Sequence, residues 1–167
     1  MNETLVITII ILLCITLAIA AMMYKTKKEA RKQLNLLKDK LATAAQQDKL
    51  LFDKQETYRN RIVALDSTKK VLVYIQLKDG ETSYDIVPLK QVSGCKVMYM
   101  GNKIPIADGK GNAKTEQHVT EVILQLYAGS ATIAAICFYS EIEDGLMEKL
   151  ALSVKANEWC EQLNKLL

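Results

Sequence analysis

Hydrophobic positions change period three times along the chain, and each period predicts a different element. Residues 5–23 are an almost continuous run of Leu, Ile, Val, Ala and Met, interrupted by Thr8, Cys14 and Thr16, with no charge from Thr4 to Tyr24. Nineteen helical residues at about 1.5 Å each span roughly 28 Å, the thickness of a bilayer's hydrocarbon core. The run predicts a transmembrane helix over residues 5–24, behind a short outer N-terminus of residues 1–4. Ala18-Ile19-Ala20 has the small-x-small form of a signal-peptide cleavage site, but residues 1–4 lack the basic n-region that a signal peptide needs.

Between Lys25 and Asp66 there is no Gly and no Pro, and Ala, Leu, Lys, Gln and Arg dominate. Those residues favour helix. Apolar positions recur at spacings of three and four: Leu34, Leu37, Leu41, Ala44, Leu51, Tyr58, Ile62 and Leu65. This is a heptad seam, so a helical stalk or coiled coil is predicted over residues 25–66. Its polar a positions are Asp48 and Gln55, and the flanking e and g positions carry Lys and Arg without an acid. Like charges would face each other in a parallel homodimer. Three arrangements follow: a more acidic partner, several copies gathered by their anchors, or a helix docked on its own domain.

From Val71 onward the period becomes two. Strands are expected over residues 71–77, 82–89, 94–100, 118–127 and 131–139, with a short segment at 103–106 and a polar loop at 108–114. Lys78-Asp79-Gly80-Glu81 reads as a hairpin turn, and Pro88 as a strand end. Residues 145–166 return to a helical period with Leu146, Leu150, Val154, Trp159, Leu163 and Leu166, after the acidic Glu141, Glu143 and Asp144. The expected fold class is α+β: a transmembrane helix continuing into a stalk, then an antiparallel sheet or partial barrel over residues 69–167, closed by one helix.

Charge divides the chain in the same place. Residues 1–70 carry 13 Lys/Arg and 7 Asp/Glu, whereas residues 71–167 carry 9 and 12. Lys25, Lys27, Lys28, Arg31 and Lys32 follow the apolar run directly, and only Glu3 precedes it. The positive-inside rule therefore predicts a cell-membrane protein with its N-terminus outside and its C-terminal domain in the cytoplasm. This cluster also suits anionic headgroups. Three thiols outside the apolar run, Cys95, Cys137 and Cys160, cannot pair completely within one chain, which fits a reducing compartment. The overall charge of +3 gives no basis for nucleic-acid binding.

Catalytic and cofactor chemistry find little support. Asp108-Gly109-Lys110-Gly111-Asn112-Ala113-Lys114-Thr115 ends like a phosphate-binding loop, but Asp108 and Ala113 stand where glycines are required. Lys110 and Ala113 also break a calcium-loop pattern. His118 is the only histidine, which excludes a multi-histidine metal site within one chain. A nucleophilic pair would need His118 beside Cys95 or Cys137. No enzyme activity, cofactor or metal is expected.

The strand order ending in one amphipathic helix, with Glu158-Trp159-Cys160-Glu161-Gln162-Leu163 as its carrying segment, resembles the pleckstrin-homology-like family. The resemblance covers residues 69–167 and implies that Trp159 anchors the helix in the core. It also implies lipid-headgroup or peptide recognition without catalysis. Phosphoinositide-binding members carry an Arg-x-Arg pattern near the first hairpin, and this chain has no Arg after Arg61. The expected function is a membrane-anchored scaffold or adaptor that forms homo- or hetero-oligomers with another membrane-associated protein. A membrane-surface sensor of lipid or peptide, or a subunit of a channel or secretion-type complex, are the alternatives.

Overall fold

The computed structural model describes the backbone of residues 2–78, 80–107 and 113–167, and the side chains of 12–78, 80–103 and 117–167. The fold is α+β. A long helix α1 (Asn2–Asp48) leads into a four-stranded sheet of β1 (Lys54–Tyr58), β2 (Arg61–Asp66), β3 (Val71–Lys78) and β4 (Glu81–Pro88). A three-stranded sheet follows, made of β5 (Gly94–Ala107), β6 (Ala113–Ala128) and β7 (Ala131–Ser140). A short helix α2 (Glu141–Asp144), a 3-10 turn (Leu146–Glu148) and helix α3 (Lys149–Leu166) complete the chain. Both sheets are antiparallel meanders in sequence order, and neither closes into the partial barrel expected from the sequence.

The stalk expected to reach Asp66 ends at Asp48. Lys49 takes a left-handed φ of 52°, and the Leu50 N–H bonds back to the Ala45 carbonyl at 2.8 Å. That is a Schellman stop, in which the residue after the helix reverses the chain and the next one satisfies an orphan carbonyl. Leu50 tucks into the core behind it. Tyr58, Ile62 and Leu65, expected on a helical seam, therefore lie on β1 and β2 instead.

Every residue of β2 is buried, and four consecutive residues of β3 are as well. Alternation in a strand sends side chains to opposite faces, so a wholly buried strand must be covered on both. Val63, Leu65, Leu72 and Tyr74 face the second sheet and α3, meeting Leu124, Phe138, Trp159 and Leu163. Ile62, Ala64, Val73 and Ile75 face the other way and pack on Leu37, Leu41 and Leu50. The first sheet is thus a middle layer between α1 and the second sheet with α3. Each such Leu or Ile contributes about 1.5–3 kcal/mol when fully buried.

Beyond the expected end of the third strand at Met100, β5 continues through Gly101, where the register with β6 shifts. A Cβ at Gly101 would lie 1.9 Å from the His118 carbonyl oxygen, so glycine allows the two backbones to touch at this bulge. The polar loop expected at 108–114, with its phosphate-loop and calcium-loop look-alikes, lies outside the described residues except for its last two positions, which begin β6.

The domain has two distinguishable ends. At one, Lys69 Nζ donates to the carbonyls of Asp48 and Lys49, both at 2.8 Å, and Lys70 Nζ donates to Leu166 O at 2.5 Å. There α1 and α3 both finish. At the other lie the β1–β2 turn and the β3–β4 turn, linked by mutual Asn60–Leu77 backbone and side-chain bonds, together with α2 and the start of α3. α1 enters the domain at this second end.

Candidate functional site

Residues of the basic cluster, Lys25, Lys27, Lys28, Arg31 and Lys32, are all exposed on α1. Every described side chain from Leu12 to Gln33 is exposed too, so the apolar part of the helix has no cover from the domain. The expected span at 5–24 falls partly outside the described side chains. Among the described residues no helix is long and apolar enough to cross a membrane. The described side chains cover the uncharged run only from Leu12 to Tyr24, and Lys25, Lys27, Lys28 and Glu29 follow it directly.

The heptad seam is divided by the structure. Leu37, Leu41 and Ala44 are buried beside the first sheet, Leu34 is half-buried, and Leu51 is exposed just beyond the helix. Of the three arrangements open to the seam, the one found over residues 37–44 is docking on the chain's own domain. Where α1 reaches the β3–β4 turn, Glu29, Lys32, Leu36 and Asp39 line an open cleft of about 440 Å³ with Leu77 and Gly80. Trp159 is fully buried on α3.

A buried polar cluster escaped sequence reasoning. Arg61 on β2 is 0% exposed; its Nη1 donates to Phe138 O and to Asp144 Oδ2, both at 3.0 Å. Its Nη2 bonds Glu143, and Asn60 Nδ2 also reaches Glu143 Oε2 at 3.3 Å. Asp144 Oδ2 accepts the Ser140 N–H at 2.8 Å as well. Burial alone would lower the Arg61 pKa, but the Glu143 bond and nearby charges hold it above its ordinary value. Burial likewise works against Glu143, yet its bonds from Arg61 and Asn60 keep it below the usual carboxylate range. Both groups stay charged, so the cluster clamps β2 to α2 and offers no proton for acid–base work.

Among the described residues no hydrogen bond joins His118 to Cys95 or Cys137, and Cys137 Sγ bonds the Tyr139 carbonyl instead. Burial pushes the Cys137 thiol up to about 11. Burial, with a contribution from Cys160, also raises Cys95. Thiols held protonated are poor nucleophiles and metal ligands. His118 Nε2 pairs with Glu141 Oε2 at 2.7 Å, and no metal-binding group of His, Cys, Asp or Glu occurs among the described residues.

Among the described residues the most exposed apolar features are the apolar-then-basic part of α1 and a set of residues around α2. The latter comprises Ile142, Leu146, Met147, Leu150 and Val154; the helical spacing of Leu146, Leu150 and Val154 was legible, though a period alone predicts burial, and Ile142 and Met147 stand outside it. Compared with protein-family models, curated proteins and solved structures, the chain matches none.

Proposed function

We propose that this chain is a single-pass membrane-anchored scaffold or adaptor, with its N-terminus outside and the domain of residues 50–167 presented on the cytoplasmic side. One observation carries the reading: α1 is a single helix whose described side chains from Leu12 to Tyr24 are mostly apolar and uncovered, and whose C-terminal part is built into the domain core. An uncovered run of Leu, Ile and Met is unstable in water and suits lipid, while the basic cluster beside it sets orientation. Among the described residues the domain shows no reactive constellation, and the contribution proposed for it is surface for protein–protein assembly.

The pleckstrin-homology-like resemblance belongs to the same proposal. What supports it is the antiparallel strand order over residues 71–140 followed by one helix with Trp159 in the core. It favours peptide or lipid recognition by the domain as the second reading. Because Leu37, Leu41 and Ala44 are occupied internally, assembly uses surfaces other than that part of the seam.

Crosslinking in native membranes, with identification of attached proteins, tests the reading. A membrane fraction containing specific crosslinked partners or oligomers supports it; a protein that washes off membranes, or is found only as a monomer, overturns it. Topology is checked with a Thr132→Cys variant in intact cells. Ready labelling there by an impermeant maleimide would reverse the assigned orientation.

A further inference from the structure

The end of the domain that receives α1 carries the least covered apolar side chains of the described domain. Ile142 is 97% exposed and Met147 96%, with Leu146 and Leu150 beside them at 63% and 76%. They protrude from α2, the 3-10 turn and the start of α3. Arg59 ties this region to the β1–β2 turn through the Glu143 carbonyl, and Asn60 ties that turn to Leu77 at the β3–β4 turn. The cleft connecting Leu77 and Gly80 with Glu29 then places α1 at the same end. From Glu29 back to Tyr24, where the apolar run stops, are five residues, about 8 Å of helix. The protruding side chains and the start of the membrane-suited segment therefore face the same boundary.

We infer that this end of the domain rests on the bilayer, with Ile142, Leu146 and Met147 inserted into the lipid interface beside the basic collar of Lys25, Lys27 and Lys28. The inference rests on the anchor reading given above. The local charges permit it. Arg61 offsets one of the two carboxylates of Glu143 and Asp144, Glu141 contacts His118, and the exposed acids Glu29, Glu81 and Glu148 stand among the exposed Lys25, Lys27, Lys28, Arg59 and Lys78 and the half-buried Lys149. Convex apolar side chains beside the basic collar of α1 suit an interface of lipid headgroups and acyl chains. A protein partner is a poorer fit, because four side chains fall far short of the roughly 20–30 residues a side, about 800 Å² per partner, that a stable protein interface uses.

Single tryptophans distinguish the possibilities, since native Trp159 is enclosed and supplies a constant background. The full chain is reconstituted in vesicles of phosphatidylcholine with a minor share of phosphatidylglycerol, brominated on their acyl chains. Variants are Met147→Trp, Leu13→Trp within the apolar run, and Leu51→Trp, an exposed position at the opposite end of the domain. The added emission of Met147→Trp should be quenched at least about threefold more than that of Leu51→Trp. Equal, weak quenching at 147 and 51 with strong quenching at 13 overturns the inference and leaves the anchor standing. Quenching at 147 without quenching at 13 retains the inference and removes the anchor, and weak quenching at all three removes both. Protection of 147 from aqueous acrylamide without lipid quenching identifies a second copy as the cover and overturns the inference.

Discussion

The indole Nε1–H of Trp159 donates to the hydroxyl of Tyr58 at 3.1 Å, joining α3 to β1 through two residues 101 positions apart. The same hydroxyl donates to Glu56, and the Tyr58 ring packs on Phe138 with centroids 5.4 Å apart. Lys54 Nζ lies 4.4 Å from the centroid of the Trp159 ring on its face. Tyr58 is thus the acceptor that lets a tryptophan sit wholly inside the core with its polar edge satisfied.

Tyr58→Phe keeps the ring packing and removes that acceptor. An indole N–H without a partner in a buried site costs about 1–3 kcal/mol. Urea unfolding followed by Trp159 fluorescence should show the midpoint shifted down; an unchanged midpoint would mean that water replaces the hydroxyl.

Arg61→Met leaves Asp144 buried without its cation. Breaking such a pair from one side costs about 3–5 kcal/mol. Adding Asp144→Asn should recover part of the loss, since the amide oxygen can still accept the Ser140 N–H. A double-mutant cycle measures the coupling, and strict additivity would show that the two side chains do not act together.

Acid should loosen the attachment of α1 before it unfolds the rest. Asp66 accepts the N–H groups of Lys69 and Leu51, both at 2.8 Å, and those bonds hold its pKa below the ordinary 3.8. Glu143 is held below its ordinary 4.5. Carboxylates depressed on folding add stability that is complete above their unfolded values and is lost as pH falls through the folded ones. Thermal unfolding should therefore be insensitive to these groups at neutral pH and fall below about pH 4. Hydrogen exchange at Leu51 should accelerate earliest, and Asp66→Asn should flatten that acid response. A response unchanged by Asp66→Asn would assign it elsewhere.

The docked part of α1 makes a sharp accessibility prediction. Leu41→Cys should react slowly with maleimide and Leu36→Cys rapidly, because position 41 is buried and 36 is 40% exposed. Leu37→Ala should cost about 2–5 kcal/mol through the cavity it leaves. Equal, fast labelling at both positions would show that the helix stands away from the sheet.

Most strands after Val71 were legible in the sequence because alternation, Asp-Gly and Pro88 act locally. The first two strands were not. Lys49 reverses the helix with a left-handed backbone normally assigned to Gly, and Arg59 does the same at the β1–β2 turn with φ 46°. Neither turn carries a glycine or proline, so residues 51–65 kept a helical look: the heptad places Leu51, Tyr58, Ile62 and Leu65 at regular intervals by coincidence of spacing. Burial on both faces also erased the alternation by which β2 would have been recognised. The Arg61 clamp was invisible for a different reason, since its partners lie 82 and 83 residues away. Leu146, Leu150 and Val154 had the right period and the wrong inference, because a period marks a shared face without saying what covers it, and Ile142 and Met147 fell outside that period.

One helix runs from Asn2 to Asp48 without a glycine or a proline, and its last turns are locked into the core. It has no swivel, so rotation of the N-terminal part about its own axis must carry the first sheet with it. Each residue added between Lys25 and Gln33 would turn the domain by about 100° relative to the apolar run, and seven would return it close to its starting face while lifting it about 10 Å. The heading of every surface on the domain, including whichever face meets its partners, is therefore written in the number of residues between the collar and Leu37.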